Sequence, residues 1–497
     1  MKHLIINASR KYSHINRNIY GHFSEHLGRG IYGGIYVGED SEIPNIHGIR
    51  QDVVEALRYI KVPVIRWPGG CFAEYYNWKD GIGPKEERRR IVNKSWGGVV
   101  EDNSFGTHEF LDFCELVGCS PYIVGNVASG TARELSEWIE YINSDDESLM
   151  ADLRRKNGRD KPWNVQYIGI GNENWGCGGQ MRPEYYADVY RQFATCIRTC
   201  GGTKPYKIAC GADGPDYKWT EVLMRLAGNY MDSLSLHYYT MPGYYTTDEY
   251  KWEKKGPATG FDESNYYRTL RRALFIDELI CRHKYIMDQY DPDKRVSITV
   301  DEWGTWHAPE PGTNPAFLYQ QNTMRDAIVA AVSLNIFNSH SDRVKMANLA
   351  QMINVLQAVI LTEGNKMVLT PTYHVYDLYK GHQDSTLIES YVQQDMIGTE
   401  EAQVPAVHVS ASEARDGSIR VTLVNLSASE SQRIRCLLCS GEYHFASVRY
   451  ISGEMNDCNE FDKPPRVSVK TMPDIQIEDN SFIIDIPACS VNEIVLR

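Results

Sequence analysis

VQYIGIGNE, residues 165–173, is a short apolar run that ends abruptly in the polar residues Asn172 and Glu173. Apolar runs of this length are typical of strands that are buried on both faces, as in parallel sheets. A carboxylate that follows such a run directly is placed at the tip of the strand. The stretch therefore predicts a buried strand with a chemically active group at its C-terminal end.

Seven similar runs occur between residues 18 and 384, and segments with helical periodicity separate them. They are IYGHFSEH (19–26), VPVIRWPGG (62–70), PYIVGNV (121–127), YKIACGAD (206–213), DSLSLHYY (232–239), SITVDEW (297–303) and NLAQM (348–352). One segment between them, residues 182–202, has Pro183 near its start and Gly201 past its end, as helices do. Strands that alternate with helices indicate a parallel sheet, and eight units over roughly 365 residues predict a (β/α)8 TIM barrel with insertions.

From about residue 385 the pattern changes to alternation with period two, as in SIRVTLVNLS and FASVRYISGE. That alternation predicts a C-terminal all-β sandwich, jelly-roll-like, over residues 385–497. The segment KHLIINAS near the N-terminus also has the pattern of a strand. Because chain termini often lie close together, we expect residues 1–17 to join the sandwich and residues 18–384 to form the barrel.

The composition of the 497-residue chain argues against some classes of partner. Its formal net charge is −13, and nucleic acid and anionic membrane surfaces both attract basic protein faces. The N-terminal apolar segment LII is too short for the core of a signal peptide, and no run is long enough to span a membrane. We therefore expect a cytoplasmic protein that binds neither nucleic acid nor membrane.

Twelve cysteines in a chain of this length do not reach the density of a disulfide scaffold. The pair in CLLC, Cys436 and Cys439, has no second pair or histidine pair to complete a metal site, and its alternating segment predicts strand packing. We expect the cysteines to be reduced and mostly buried.

The residues that end each run are the candidates for chemistry, because active sites of such barrels lie at the C-terminal ends of the strands. Glu173 and Glu302 end strands four and seven, which lie nearly opposite each other in an eight-stranded ring. Two opposed carboxylates are typical of a glycosidase, with one acid and one nucleophile or base. We hypothesise that Arg66 or Tyr239 keeps one of them charged. The other polar strand ends include Glu25, Asn172, His237 and, near strand eight, Gln351.

The motifs of several rival chemistries are missing from the sequence. It contains no HExxH or paired-histidine spacing for a metal, no GxxxxGK, no GxGxxG between a strand and a helix, and no GxSxG. We expect neither a metal nor an organic cofactor.

The ordered set GHFSEHLGR, RWPGGCFAEYYNWKDGIGP, GNENWGCGG, SLHYY, VDEWGTW and NLAQMINV resembles glycoside hydrolase family 51 along the whole chain. That family consists chiefly of α-L-arabinofuranosidases, and the resemblance implies the same barrel and β-sandwich. It also implies a retaining mechanism in which Glu302 is the nucleophile and Glu173 the acid/base. The two carboxyl groups should then lie about 5–5.5 Å apart, against about 6.5–9.5 Å in an inverting enzyme.

The resemblance also implies which residues bind the sugar. Asn172 would bond to the hydroxyl next to the anomeric carbon, and the furanose pocket would be lined by Glu25, Arg66, His237, Tyr239 and Gln351. Trp96 and Trp306 resemble aromatic residues that flank the pocket where the rest of the substrate leaves. Many members carry Asn where this chain has Cys71, and a thiol is a weaker hydrogen-bond partner. One sugar contact is therefore in question.

The resemblance implies a partner and leaves three rival functions open. The implied substrate is an arabinofuranosyl oligosaccharide derived from arabinan or arabinoxylan, and family members often form homo-hexamers. A same-family endo-β-1,4-glucanase or an enzyme that cuts xylan or β-xylosides would differ by activity on those substrates. A non-catalytic sugar-binding barrel would lack turnover, and a metal-dependent sugar isomerase would respond to a chelator.

Overall fold

The computed structural model describes residues 1–243 and 255–497, and its centre is a closed barrel of eight parallel strands. Each strand pairs with the next one in the chain, and the eighth closes on the first through Asn348 and Leu349, which pair with Gly21 and His22. The eight predicted strands are therefore all present. Their bounds are Gly21–Phe23, Val64–Trp67, Ser120–Gly125, Tyr167–Ile170, Tyr206–Asp213, Ser233–Thr240, Ser297–Thr305 and Val344–Leu349.

Helices of the described chain surround the barrel, and a large apolar cluster fills the space between the two layers. A smaller cluster, which includes Val64, Tyr122, Val124, Ile208 and Met346, fills the inside of the barrel. The interior is thus a packed floor beneath the strand tips, as expected for this fold. The α-helices are Gln51–Tyr59, Thr107–Val117, Ala132–Asn143, Leu149–Lys156, Pro183–Cys196, Tyr217–Ala227, Glu263–Tyr290, Met324–Ser339 and Pro371–Tyr379.

Most predicted strand boundaries differ from the structure by a few residues, and strand four ends at Ile170, so that Asn172 and Glu173 lie in the loop that follows it. Three of the differences have a local cause. The first strand is only three residues long, because a 3-10 helix, Arg17–Tyr20, takes the residues before it. The eighth strand begins at Val344, earlier than predicted. The prediction began too late because half-buried Lys345 interrupts the apolar pattern of the strand. The helix that starts at Pro183 ends at Cys196, since the chain then turns back in a bridge between Cys200 and Thr203.

The C-terminal region forms one hydrogen-bonded sheet of nine strands with a separate apolar core. The N-terminal strand Lys2–His14 lies inside this sheet, antiparallel to Thr386–Val392 and parallel to Gln432–Leu438. Strands from both ends of the sheet contribute to the same core. In sheet order the strands are Lys470–Gln476, Phe445–Ser452, Ser490–Leu496, Ile419–Asn425, Val407–Glu413, Thr386–Val392, Lys2–His14, Gln432–Leu438 and Ser481–Ile486.

Four short two-stranded sheets lie in the loops of the described chain, and none of the described helices is long and apolar enough to cross a membrane. The short pairs are Asn45–Ile46 with Ile49–Arg50, Ile91–Val92 with Val100–Glu101, Ile360–Glu363 with Lys366–Leu369, and Met396–Gly398 with Gln403–Pro405.

Candidate active site

The polar residues at the strand ends meet at the C-terminal mouth of the barrel and contact one another. Two connected groups result: Glu302 with Arg66, Asn172, Tyr239, His237 and Glu173, and Glu25 with Gln351 and Trp96. Gly70 lies between the groups. Its N–H donates to Oε1 of Glu25 at 3.0 Å, and a Cβ at this position would lie 2.8 Å from Oε1 of Glu302. Any side chain at this point would therefore displace the carboxylate of Glu302.

Glu302 is held by one donor on each carboxylate oxygen. Nη1 of Arg66 donates to its Oε1 at 2.8 Å, and the phenol of Tyr239 donates to its Oε2 at 2.7 Å. A guanidinium and a phenol both stabilise a carboxylate in its charged form. Both groups suggested by the sequence thus donate to the same glutamate, one to each carboxylate oxygen.

Glu173 lies in a different environment. Its Oε1 lies 2.9 Å from Nδ1 of His237, and its Oε2 contacts the sulfur atoms of Cys177 and Cys71 at 3.6 and 3.9 Å. Burial is the largest cause that raises the pKa of Glu173 to about 7, and the charge of Glu302 adds to it while His237 opposes it. Glu173 can therefore hold a proton near neutral pH.

The contacts of both glutamates with His237 show how close their carboxylate oxygens lie to each other. One oxygen of Glu173, one of Glu302 and one ring nitrogen of His237 all lie within 4.8 Å of one another. Such a short distance between oxygens fits the retaining arrangement better than the inverting one, which places the carboxyl groups about 6.5–9.5 Å apart.

His237 is surrounded by acids. Its Nδ1 faces Glu173, and its Nε2 lies 3.2 Å from Oδ1 of Asp301. Burial by itself would lower the pKa of His237, but the three surrounding carboxylates outweigh burial and raise the pKa well above its ordinary value. Asp301 in turn accepts a hydrogen bond from Tyr122 at 2.8 Å. The histidine is therefore fixed between the acid and a buried second carboxylate.

Arg66 orients Asn172 as well as Glu302. Its Nη2 donates to Oδ1 of Asn172 at 2.6 Å, so the amide nitrogen of Asn172 is turned away from the guanidinium. The guanidinium carbon of Arg66 also lies 4.4 Å from the ring centroid of Phe23. Asn172 is thus held with an N–H donor beside the two glutamates.

Glu25 and Gln351 form the second polar group. Oε1 of Glu25 accepts the N–H groups of Gly70 and Phe72, each at 3.0 Å, and the indole N–H of Trp96 at 2.9 Å. Its Oε2 accepts Nε2 of Gln351 at 2.9 Å. Burial and the charge of Glu302 raise the pKa of Glu25, while the hydrogen bonds from Phe72, Trp96 and Gln351 oppose that increase.

The carbonyl oxygen of Gln351 has a distinct position in this group. It is buried and has no hydrogen-bond partner among the described residues. A buried acceptor without a partner costs free energy. A ligand hydroxyl bound at this point would satisfy it.

The tryptophans suggested by the sequence pack beside the polar groups. Trp96 and Trp306 both border a small apolar cluster that includes Phe23, Tyr239 and Leu318. The ring of Trp306 meets that of Tyr239 edge to face, with centroids 4.9 Å apart. Both indoles are only partly buried, so they form part of the wall of the mouth.

The expectation that the cysteines are reduced is wrong for one pair. Cys71 and Cys177 form a disulfide, while the other ten cysteines are free. The cause is tertiary: the segment after strand two and the loop after strand four meet at the mouth. Cys71 therefore has no thiol hydrogen to donate, and a contact with the sugar through S–H is excluded in this state. Cys436 lies buried in a sheet strand, whereas Cys439 is exposed.

Glu74 is the member of this region that sequence reasoning missed. Its side chain is fully buried below the loop that carries Asn172 and Glu173, and its carboxylate accepts four hydrogen bonds from amides. Burial raises the pKa of Glu74 to about 7, although those hydrogen bonds lower it. The signal in the sequence was a charged residue within the aromatic segment CFAEYYNW.

The donor atoms at the mouth do not make a good cation site. His237 and the two glutamates are close enough to share an ion, but Arg66 already supplies a positive charge 2.8 Å from Glu302. Cys71 and Cys177 use their sulfur atoms in the disulfide. A second group of possible ligand atoms is formed by Asp277, Cys281 and His340. It lies away from the mouth, on the helix Glu263–Tyr290 and just after the helix Met324–Ser339.

A (β/α)8 barrel with two close carboxylates in contrasting environments at its mouth defines a glycoside hydrolase. A family model described as the alpha-L-arabinofuranosidase 1 domain matches residues 56–256, and one described as the alpha-L-arabinofuranosidase C-terminal domain matches residues 301–490. The chain belongs to glycoside hydrolase family 51, the family of the α-L-arabinofuranosidases. The resemblance seen in the sequence motifs is thereby confirmed.

Individual relatives match along their whole length. An intracellular exo-alpha-L-arabinofuranosidase of Bacteroides ovatus is 49% identical over 497 residues, with 99% of this chain and 95% of the relative covered. The crystal structure of a family 51 arabinofuranosidase from Xanthomonas axonopodis pv. citri is 47% identical, with a TM-score of 0.97 and complete coverage of both chains. An arabinose complex of the α-L-arabinofuranosidase from Thermotoga maritima is 30% identical, with a TM-score of 0.87 and coverage of 100% and 99%.

Proposed function

We propose that the protein is a retaining, exo-acting α-L-arabinofuranosidase that removes terminal non-reducing arabinofuranosyl residues from oligosaccharides derived from arabinan or arabinoxylan. One observation carries the proposal. Two carboxylates within reach of the same glycosidic bond have contrasting environments, since Arg66 and Tyr239 each donate a hydrogen bond to Glu302 while burial raises the pKa of Glu173 to about 7. The exo action is also the one named for the relative from Bacteroides ovatus.

The proposed reaction is a double displacement. Glu302 attacks the anomeric carbon and forms an ester with the sugar, while Glu173 gives its proton to the departing glycosidic oxygen. Glu173 then removes a proton from water, and the water oxygen attacks the anomeric carbon and releases Glu302. Two inversions return the sugar with its original configuration. No step needs a group other than the two glutamates and water.

The remaining polar residues suit the recognition of a single furanose ring. The amide nitrogen of Asn172 is directed away from Arg66 and is placed to donate to the hydroxyl next to the anomeric carbon. Glu25 and the carbonyl of Gln351 are acceptors for other hydroxyls. Buried polar groups that bond to substrate hydroxyls reject analogues that lack them. Trp96 and Trp306 would flank the side on which the rest of the substrate leaves.

We further propose the setting in which the enzyme works. The relative from Bacteroides ovatus is named intracellular, which supports a cytoplasmic enzyme that hydrolyses imported oligosaccharides. Residues 18–384 would form the catalytic unit, and residues 1–17 with 385–497 the β-sandwich unit. We also propose a homo-oligomer, a hexamer by family resemblance, which sedimentation of the purified protein would test.

The direct test is release of p-nitrophenol from its α-L-arabinofuranoside by the wild type, Glu302→Ala and Glu173→Ala. We expect kcat to fall at least about 1,000-fold in Glu302→Ala, since removal of a nucleophile has effects of that size or larger. Glu442→Ala, which changes an exposed carboxylate of the sheet region, is the matched control. NMR of the first product formed should show the retained anomer.

The same experiment separates the rival functions. β-Xyloside, β-glucoside and carboxymethyl cellulose are assayed alongside the arabinofuranoside. Activity on cellulose or xyloside without arabinofuranoside turnover would overturn the proposed substrate. Binding of arabinose without turnover of any glycoside would instead indicate a sugar-binding barrel, and loss of activity with a chelator would indicate a metal-dependent enzyme.

A further inference from the structure

Glu74 links two strand-end loops through its carboxylate. Its Oε1 accepts the backbone N–H of Asn172 at 2.5 Å and Nδ2 of Asn174 at 2.9 Å. Its Oε2 accepts the backbone N–H groups of Val127 and Ala128 at 2.8 and 2.6 Å. One buried carboxylate thus joins the end of strand three to the end of strand four.

The two donors on Oε1 belong to the residues on either side of Glu173. Glu173 itself has a backbone φ of +43°, in the left-handed region that residues other than glycine rarely adopt. A residue in that conformation persists only where its surroundings hold it there. Glu74 holds both chain neighbours of Glu173, so it restricts the direction in which the Glu173 side chain leaves the loop.

A second cross-link joins the same two segments. Glu74 and Cys71 belong to one 3-10 helix, Cys71–Tyr75, and Cys71 is bonded to Cys177 in the loop that follows Glu173. The loop after strand four is therefore fastened to this helix on both sides of Glu173, by hydrogen bonds at residues 172 and 174 and by the disulfide at residue 177.

We propose that Glu74 is a positioning residue that holds Glu173 where it can protonate the leaving group. The inference rests on the acid/base role proposed for Glu173. Glu74 does not touch the substrate in this arrangement, since all four of its bonds go to the protein. Its effect on the reaction is exerted through the direction of the Glu173 carboxyl group, whereas the Asn172 amide is oriented by Arg66.

The test compares kcat/KM for two substrates that depend differently on acid catalysis. 2,4-Dinitrophenyl α-L-arabinofuranoside has a leaving group that departs without a proton, whereas phenyl α-L-arabinofuranoside needs one. In Glu74→Gln an amide NH₂ replaces one carboxylate oxygen and faces two N–H donors, so two of the four hydrogen bonds that join the two strand-end loops are lost. We expect kcat/KM to fall about 100-fold for the phenyl substrate and less than about fivefold for the dinitrophenyl substrate, because general acid catalysis contributes at least that much.

Asp291→Asn is the matched control. Asp291 is also a buried carboxylate that accepts backbone N–H groups, those of Arg295 and Val296 at 3.1 and 2.7 Å, but it lies before strand seven at the opposite end of the barrel. The control should lower stability and change both kcat/KM values by the same factor. Equal losses for both substrates in Glu74→Gln, or no loss, would overturn the positioning role.

Two further comparisons keep the test decisive. If Glu74→Gln does not fold, Glu74→Asp keeps the charge on a side chain shorter by one CH₂, and it should show the same selective loss at smaller size. A uniform loss in Glu74→Asp would also overturn the inference. Failure of the wild type to cleave either arabinofuranoside would refute the proposed function itself, whereas an active wild type with uniform losses in the variants would refute only the role of Glu74.

Discussion

The disulfide between Cys71 and Cys177 should stabilise the barrel measurably, and Cys177→Ser tests this. The bond joins residues 106 positions apart in sequence. In the chain-entropy treatment, a closed loop of that length removes about 16 cal/mol/K from the unfolded chain, which is about 4.8 kcal/mol at 25 °C. Unfolding entropy near 2.1 cal/mol/K per residue over the whole chain is about 1 kcal/mol/K. The expected decrease in Tm is therefore about 5 °C.

The assay is thermal unfolding of the wild type and Cys177→Ser, each with and without a thiol reductant. The variants are compared by Tm under identical conditions, and the expected decrease of about 5 °C applies to cooperative unfolding of the whole chain. Cys439→Ser, which removes an exposed free cysteine, is the matched control and should leave Tm and its response to reductant unchanged. Reduction of the wild type should reproduce the Tm of Cys177→Ser.

Equal Tm values for oxidised wild type, reduced wild type and Cys177→Ser would refute this reasoning. They would mean that strain in the native state, or structure that remains in the unfolded chain, offsets the entropy that the bond removes from the unfolded chain. The comparison also bears on the proposed cytoplasmic setting, where thiols are kept reduced. An enzyme that works there needs its loop held without the bond.

Three further predictions follow from the carboxylates and their partners. The raised pKa of Glu173 means that the protonated acid is present below pH about 7 and is lost above it. For the phenyl substrate, kcat/KM should therefore fall about tenfold per pH unit above that value. A flat profile up to pH about 9 would contradict the acid role of Glu173. Trp96→Phe removes the indole donor to Glu25 and keeps an aromatic ring, and it should lower kcat/KM by about 10- to 100-fold, since hydrogen bonds to charged groups are worth about 1.5–3 kcal/mol. An unchanged kcat/KM would show that this hydrogen bond is not needed to position Glu25. Gln351→Leu removes a buried carbonyl oxygen that has no partner among the described residues, together with the amide donor to Glu25. It should raise KM for the arabinofuranoside, whereas a large decrease in Tm with unchanged KM would assign Gln351 a structural role.

The sequence was sufficient to locate the barrel strands because each one is an apolar run with a polar end. The sequence was less informative about where the strands begin. In the eighth strand, for example, Lys345 lies between buried residues and interrupts the apolar pattern by which a strand is recognised. Residues such as Glu25, Arg66 and Glu302 could be selected as a set because parallel strands bring their C-terminal ends together. The local sequence pattern is therefore sufficient to select site residues where the topology brings the ends of several strands together.

The disulfide and the role of Glu74 could not be predicted from local sequence patterns, for a physical reason. Each depends on the approach of two loops about 100 residues apart in sequence, and no periodicity encodes such a contact. Isolated cysteines in a long chain are usually free, and a glutamate in a polar-aromatic segment is usually exposed. The contacts of Cys71 and Glu74 with the loop after strand four become visible only when the segment after strand two is packed against that loop.

The contrast between the two glutamates also accounts for how one residue can act first as an acid and then as a base. Part of the increase in the pKa of Glu173 comes from the negative charge of Glu302. In the proposed mechanism that charge disappears when Glu302 forms its ester with the sugar, while His237 remains beside Glu173 and continues to lower its pKa. The pKa of Glu173 should therefore decrease once the intermediate has formed, which is when a base is needed to activate water. Release of Glu302 restores its charge, raises the pKa of Glu173 again and returns the site to the state in which Glu173 holds a proton.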